Sequence, residues 1–216
     1  TIQCFDSRYY LYYTGNFSDS GEWWDYRNHQ RIGVAWSPAP EGPFICQEMP
    51  ILEHPESVMT SNPSVCRMPS GRYIMVYKFV KGKNPGPFYG PVCHGVAFSD
   101  SPEGPFLPVD GAFFQVAGSD FPGEDPFVFC MGTRLYCLVK DNGTHYSEIS
   151  KSLILFESDD GLRWKQNGVA LTRHLRREDG QDEPFFRMER PQLTFCKDQT
   201  RLFCAVKPLA DKDTSY

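Results

Sequence analysis

An all-β chain assembled from repeated sheets is what this sequence predicts, and three observations carry the prediction. The first is an internal repeat: TIQCFDSRYYLYYTG (1–15), NPSVCRMPSGRYIMVYK (62–78), EDPFVFCMGTRLYCLVKD (124–141) and ERPQLTFCKDQTRLFCAVK (189–207) follow one plan. Each has a polar residue and Pro (lost from the first copy), a few mostly apolar residues, a Cys, a short polar turn, and an aromatic and aliphatic run. The anchoring cysteines Cys4, Cys66, Cys130 and Cys196 stand 62, 64 and 66 residues apart. The second is a recurring turn, GPF at 42–44 and again at 104–106, inside SPAPEGPF and SDSPEGPF, with ESDDGLRW (157–164) as a looser third copy. The third is that no run of ten or more residues carries helical periodicity.

A repeat of about 64 residues is of the order expected for propeller arrays. Such an array buries its faces by stacking and closure, with blades of four strands each. The chain accordingly reads as a single β-propeller domain over residues 1–216, covering about three and a half blades near 1–58, 59–120, 121–183 and 184–216. The sequence is expected to continue beyond both ends, because the first copy lacks its leading polar residue and Pro and the last stops after two strand-like runs.

In chain order, the Tyr-rich SRYYLYYT (7–14) reads as a half-buried strand. Residues 16–31, with Trp23, Trp24 and His29, read as a long overhanging loop, and IGVAWS (32–37) as the next strand. The second unit gives SVCRM (64–68), RYIMVYKFV (72–80), the Gly- and Pro-rich loop 81–91, HGVAFS (94–99) and an outer strand within 106–116. The third gives FVFCM (127–131), RLYCLVK (134–140), SLILFES (152–158) and a fourth strand within 161–172. Residues 173–188 read as a charged connection ahead of the last innermost strand, and LFCAVK (202–207) as its partner.

A net charge of -5 without a basic patch argues against a nucleic-acid partner. Apolar runs of about five residues fall far short of the roughly 18 that a membrane span requires. Eight cysteines in 216 residues are too dilute for a disulfide scaffold and match no CxxC zinc spacing, so they read as small buried apolar residues with free thiols. His29, His94, His145 and His174 lack metal-ligand spacing, no HExxH occurs, and no phosphate-loop pattern precedes a helix; no cofactor or metal is expected.

In a propeller the innermost strands run beside a central axis, so their first residues meet at one mouth. Those residues are Asn62, Asp125 and Glu189, with Glu124 and Glu183 as neighbouring carboxylates. Carboxylates delivered from different blades suit glycoside hydrolysis, in which one protonates the leaving oxygen and another activates water. A third can raise the pKa of the acid by like-charge repulsion. Trp23 and Trp24 suit either stacking on a sugar ring or packing at a blade edge. His94 opens a third strand and could face the mouth.

An Asp-Pro opening one strand (Asp125-Pro126), a Glu-x-Pro opening another (Glu189-Arg190-Pro191) and the repeated SPEGPF turns resemble the five-bladed β-propeller glycosidases of glycoside hydrolase family 43 and its relatives. The resemblance covers essentially the whole chain through short motifs. It implies a carbohydrate substrate, a fourth-blade general acid at Glu189 and a third-blade Asp125 that orients and tunes it. The general base would sit on the residue pair before Thr1, so these 216 residues are expected to lack it. Asn62, Trp23, Trp24, His94 and Arg190 are the candidate substrate-binding residues, although an Arg at position 190 departs from the small residue common in that family. The alternatives are a non-catalytic carbohydrate-binding propeller, and a glycoside phosphorylase using Arg187 and Arg190.

Overall fold

The computed structural model describes residues 1–82, 90–196 and 199–209. Its elements are β1 (Ile2–Phe5), β2 (Arg8–Gly15), α1 (Trp23–Asn28), β3 (Arg31–Ser37), β4 (Ile45–Cys46), β5 (Thr60–Arg67), β6 (Tyr73–Val80), β7 (Val92–Ser99) and β8 (Leu107–Pro108). They continue with β9 (Gly123–Met131), β10 (Arg134–Asp141), β11 (Leu153–Ser158), β12 (Lys165–Leu171), β13 (His174–Arg176), β14 (Asp182–Cys196) and β15 (Gln199–Pro208). Three antiparallel four-stranded meanders, β1–β4, β5–β8 and β9–β12, are followed by a sheet in the order β13-β14-β15. The chain is all-β, with four sheets in a propeller arrangement. Residues 83–89 of the Gly- and Pro-rich loop expected at 81–91, and Cys196 as a buried thiol, lie outside the described residues.

The blades stack because each central strand is apolar on both faces. In β6, Met75, Tyr77 and Phe79 pack toward Tyr10, Tyr12, Ile32 and Val34 of the first sheet. Ile74 and Val76 of the same strand pack toward Val128, Leu135, Cys137, Val139 and Ile154 of the third. Period-two alternation thus places successive side chains in two different cores. Phe127, Phe129 and Leu138 then meet Leu193 and Leu202 of the fourth sheet. Gln192 of β14 lies 3.5 Å from the Ile2 carbonyl of β1, so the first and last sheets meet across the axis.

Three expectations need correction. Residues 16–31 include a six-residue helix, α1, held by the Asp25 carboxylate, which accepts hydrogen bonds from the Ser18 and Ser20 hydroxyls and the Asp19 and Ser20 backbone N–H groups. The charged connection 173–188 is structured: β13 pairs with Asp182–Pro184, and β14 begins seven residues before Glu189. Cys4 is exposed and Cys130 only partly buried, whereas Cys66, Cys93 and Cys137 occupy the core; the described cysteines are all free thiols.

Candidate active site at the mouth of the inner strands

Proline organises the site. At Asn62-Pro63, Asp125-Pro126 and Arg190-Pro191 the missing N–H interrupts the ladder, and each inner strand shifts register at that point. The residue before each Pro adopts a left-handed conformation, with φ of 50° at Asn62, 53° at Asp125 and 54° at Arg190. A non-glycine residue there costs about 1–3 kcal/mol and persists only when its surroundings enforce it. Three such residues in successive sheets line one cavity of about 450 Å³, together with Thr1, Tyr12, Tyr13, Thr14, Asn16, Gln30 and Gln192.

The register corrects the sequence alignment. Arg190, not Glu189, shares the phase of Asn62 and Asp125, while Glu189 falls one residue earlier, in the phase of Ser61 and Glu124. Opposite those three stand Lys78, Lys140 and Ala205. In the first sheet Thr1 pairs with Tyr12 and stands beside the cavity.

Asp125 is the hub. It is 7% exposed, and its carboxylate accepts the Asn62 side-chain amide at 2.7 Å and the Arg190 backbone N–H at 3.2 Å. One residue from each of three sheets is thereby tied to the same group. Burial, reinforced by the Glu124 charge, holds the Asp125 pKa above the usual carboxylate range, against the pull of Lys140, Lys78 and Arg190.

Behind it lies a buried ionic cluster. Glu124, Asp125 and Glu189 bring carboxylate oxygens within 4.8 Å of one another. The Lys140 ammonium sits among them, 3.0 Å from Glu124, 3.7 Å from Asp125 and 2.6 Å from Glu189, and so fills the place that a bound cation would need. Lys78 adds a 3.0 Å contact to Glu124, and Arg187 stands 3.8 Å from Glu189. Burial alone would raise the Glu124 pKa, but Lys78 and Lys140 overcome it and draw the group down to about 2. The same carboxylates hold Lys140 above its ordinary value despite burial.

The other candidates lie elsewhere. Trp23 and Trp24 are on α1 and do not line the cavity; Trp23 is exposed. His94 is wholly buried between the second and third sheets, edge-on to Phe114 at 5.8 Å, and neither ring nitrogen has a hydrogen-bond partner. Burial pushes its pKa down to about 4. Glu183 pairs with Arg177 at 3.8 Å, away from the cluster. Arg190 and Asn62 do line the cavity. The sequence reading missed Lys78 and Lys140, although both close the repeated strand RYIMVYK or RLYCLVK; their common position was the available signal.

No family model and no curated protein matches the chain. Solved structures do. An exo-β-1,3-galactanase from Clostridium thermocellum superposes with a TM-score of 0.65 at 18% identity, covering 94% of this chain and 41% of that one. A family 32 β-fructofuranosidase of Bombyx mori gives 0.64 at 16%, covering 98% and 42%. A family 117 glycoside hydrolase of the marine bacterium Zobellia galactanivorans gives 0.58 at 15%, covering 96% and 68%. The fold is that of the β-propeller glycoside hydrolases, and the chain spans less than half the length of the first two.

Proposed function

We propose that the chain forms part of an inverting glycoside hydrolase, with Glu189 as general acid and Asp125 as the group that orients and tunes it. The observation that carries the reading is the meeting of Asp125 and Glu189, from neighbouring sheets, with carboxylate oxygens within 4.8 Å; of the two, Asp125 lines the polar cavity and Glu189 stands behind it. That spacing fits a tuning pair. An acid and a water-activating base in an inverting enzyme stand roughly 6.5–9.5 Å apart, so Asp125 and Glu124 are both too close to Glu189 to be the base. Asn62 and Arg190 flank Asp125 in the cavity and are assigned to substrate binding; the tyrosines and small polar groups around them offer the aromatic faces and hydrogen bonds a sugar uses.

One observation favours a second reading, a carbohydrate-binding propeller without catalysis: the 2.6 Å contact ties the Glu189 carboxylate to Lys140, and a proton donor must leave that contact to act. Turnover of a panel of aryl glycosides by the full-length protein, with its general base, separates the two. Glu189→Ala is expected to lose about 10²- to 10⁴-fold in kcat, the span of general acid catalysis. Asp125→Asn is expected to reduce kcat as well, with a displaced pH profile. Unchanged turnover in either variant removes that residue from the assignment, and sugar binding without turnover in the parent protein favours the binder.

A further inference from the structure

The described residues gather a group of cations around residues 185–187 of β14. Arg173 donates through Nη1 to the Phe185 carbonyl at 3.1 Å. The Lys151 ammonium lies 4.1 Å from the centre of the Phe186 ring, and the Lys207 ammonium 5.9 Å from it. Arg187 follows in the strand, paired across the sheet with Lys207. Among the described residues, Lys151, Arg173 and Lys207 form no ion pair, and Arg187 has only the 3.8 Å approach to Glu189, whose nearer partner is Lys140. Asp141, beside Lys151 in the chain fold, directs its carboxylate to the backbone N–H groups of Gly143, His145, Tyr146 and Ser147 and, among the described residues, forms no ion pair with Lys151.

Such crowding is unfavourable unless an anion joins it. Burial, followed by the charges of Arg187, Arg173 and Lys140, pulls the Lys151 pKa below its ordinary value. The Nε atoms of Arg173 and Arg187 are buried without a hydrogen-bond partner, so both guanidinium groups retain donor capacity. Planar guanidinium forks match the geometry of carboxylate, sulfate and phosphate. In a chain of net charge -5, four cations gathered around residues 185–187 form a local exception.

We propose that Lys151, Arg173, Arg187 and Lys207 bind an oxyanion beside Glu189, so that the substrate carries a carboxylate or sulfate close to the bond that is cleaved, or is accompanied by inorganic phosphate. The inference rests on the glycosidase reading and names its substrate class.

Titration calorimetry of the full chain at low ionic strength tests it, with D-galacturonate, galactose 6-sulfate, inorganic phosphate and neutral D-galactose as probes. At least one anionic probe is expected to bind about tenfold or more tightly than galactose, with the preference shrinking as salt screens it. Lys151→Met and Arg187→Met should each remove most of that preference. Lys151 lies outside the strands, so its variant still tests the idea if Arg187→Met fails to fold. Preference for phosphate alone assigns the anion to a co-substrate, and preference for the acidic sugars assigns it to the glycan. Neutral and anionic probes binding alike, with hydrolysis of neutral aryl glycosides intact, overturns the inference and leaves the glycosidase reading standing. Absence of sugar binding together with absence of hydrolysis overturns both.

Discussion

Asp125 combines local backbone strain with a buried carboxylate at the scale of one residue. It is held in a left-handed conformation, is nearly buried, and joins Asn62 and Arg190 from the flanking sheets. Buried titratable groups of the second and third sheets shape the pH response of the fold. His94 has its folded pKa depressed to about 4 from an ordinary 6.5, so its contribution to stability is present above pH 6.5 and is lost as pH falls toward 4. Glu124, depressed to about 2 from 4.5, loses its contribution lower, between about pH 4.5 and 2. Asp125, raised by burial, works in the opposite sense: its protonated form is favoured in the fold, and its penalty is relieved as pH falls through the raised value. Chemical denaturation across pH is therefore expected to show a decline of the order of 1–3 kcal/mol between pH 6.5 and 4 that His94→Gln largely removes, the remainder belonging to His54, whose pKa burial also lowers, with the loss below pH 4.5 kept. An unaltered decline in the variant would remove His94 as its source. Asn62 and Asp125 were legible in the sequence because a polar residue before Pro marks a strand interruption. The phase of Glu189 was not: Cys130 and Cys196 stand 66 residues apart and the left-handed Asp125 and Arg190 stand 65 apart, so counting from the cysteines sets Pro191 against Asp125, and only the strand pairing shows that Arg190 holds that place and Glu189 the one before it. Lys140 escaped notice because an isolated lysine at a strand end gives no local sign that three carboxylates surround it.

Among the elements, the third strands explain the likeness of IGVAWS and HGVAFS. Gly33 lies opposite Tyr13, and Gly95 opposite Tyr77. A Cβ on Gly33 would stand 2.6 Å from the Tyr13 ring, and one on Gly95 2.3 Å from the Tyr77 ring. Each tyrosine therefore lies across its glycine, and the close approach leaves no space for a methyl group. Gly95→Ala is expected to destabilise the fold by about 1–3 kcal/mol, the usual range for overpacking, as read from the denaturant midpoint. Gly33→Ala should in addition weaken sugar binding, because Tyr13 lines the cavity. A Gly95→Ala protein as stable as its parent would contradict this packing. Most core strands were legible because apolar and β-branched residues crowd them. Helix α1 was not, since six residues cannot display a helical period. The β13–β14 hairpin was hidden by its charges, which sit on an exposed ladder where burial leaves no pattern.

For the molecule as a whole, the propeller serves to bring distant segments of chain to one point. Residues near 62, 125 and 190 meet around a cavity that also takes Thr1 and Tyr12, and behind it a line of charge runs from Lys78 through Glu124 and Lys140 to Glu189 and Arg187. The repeat makes the architecture readable from the sequence. Charge compensation was unreadable, because Lys140 and Glu189 are 49 residues apart and meet only when the third and fourth sheets stack. The most direct test of the account is the leaving-group dependence of kcat in Glu189→Ala, measured on the full chain with a dinitrophenyl glycoside and with the matching unactivated alkyl glycoside. The dinitrophenyl substrate departs without protonation and should keep nearly the parent rate, while the alkyl glycoside should lose about 10²- to 10⁴-fold. Equal losses on both substrates, or no loss on either, would contradict the assignment of Glu189 as proton donor.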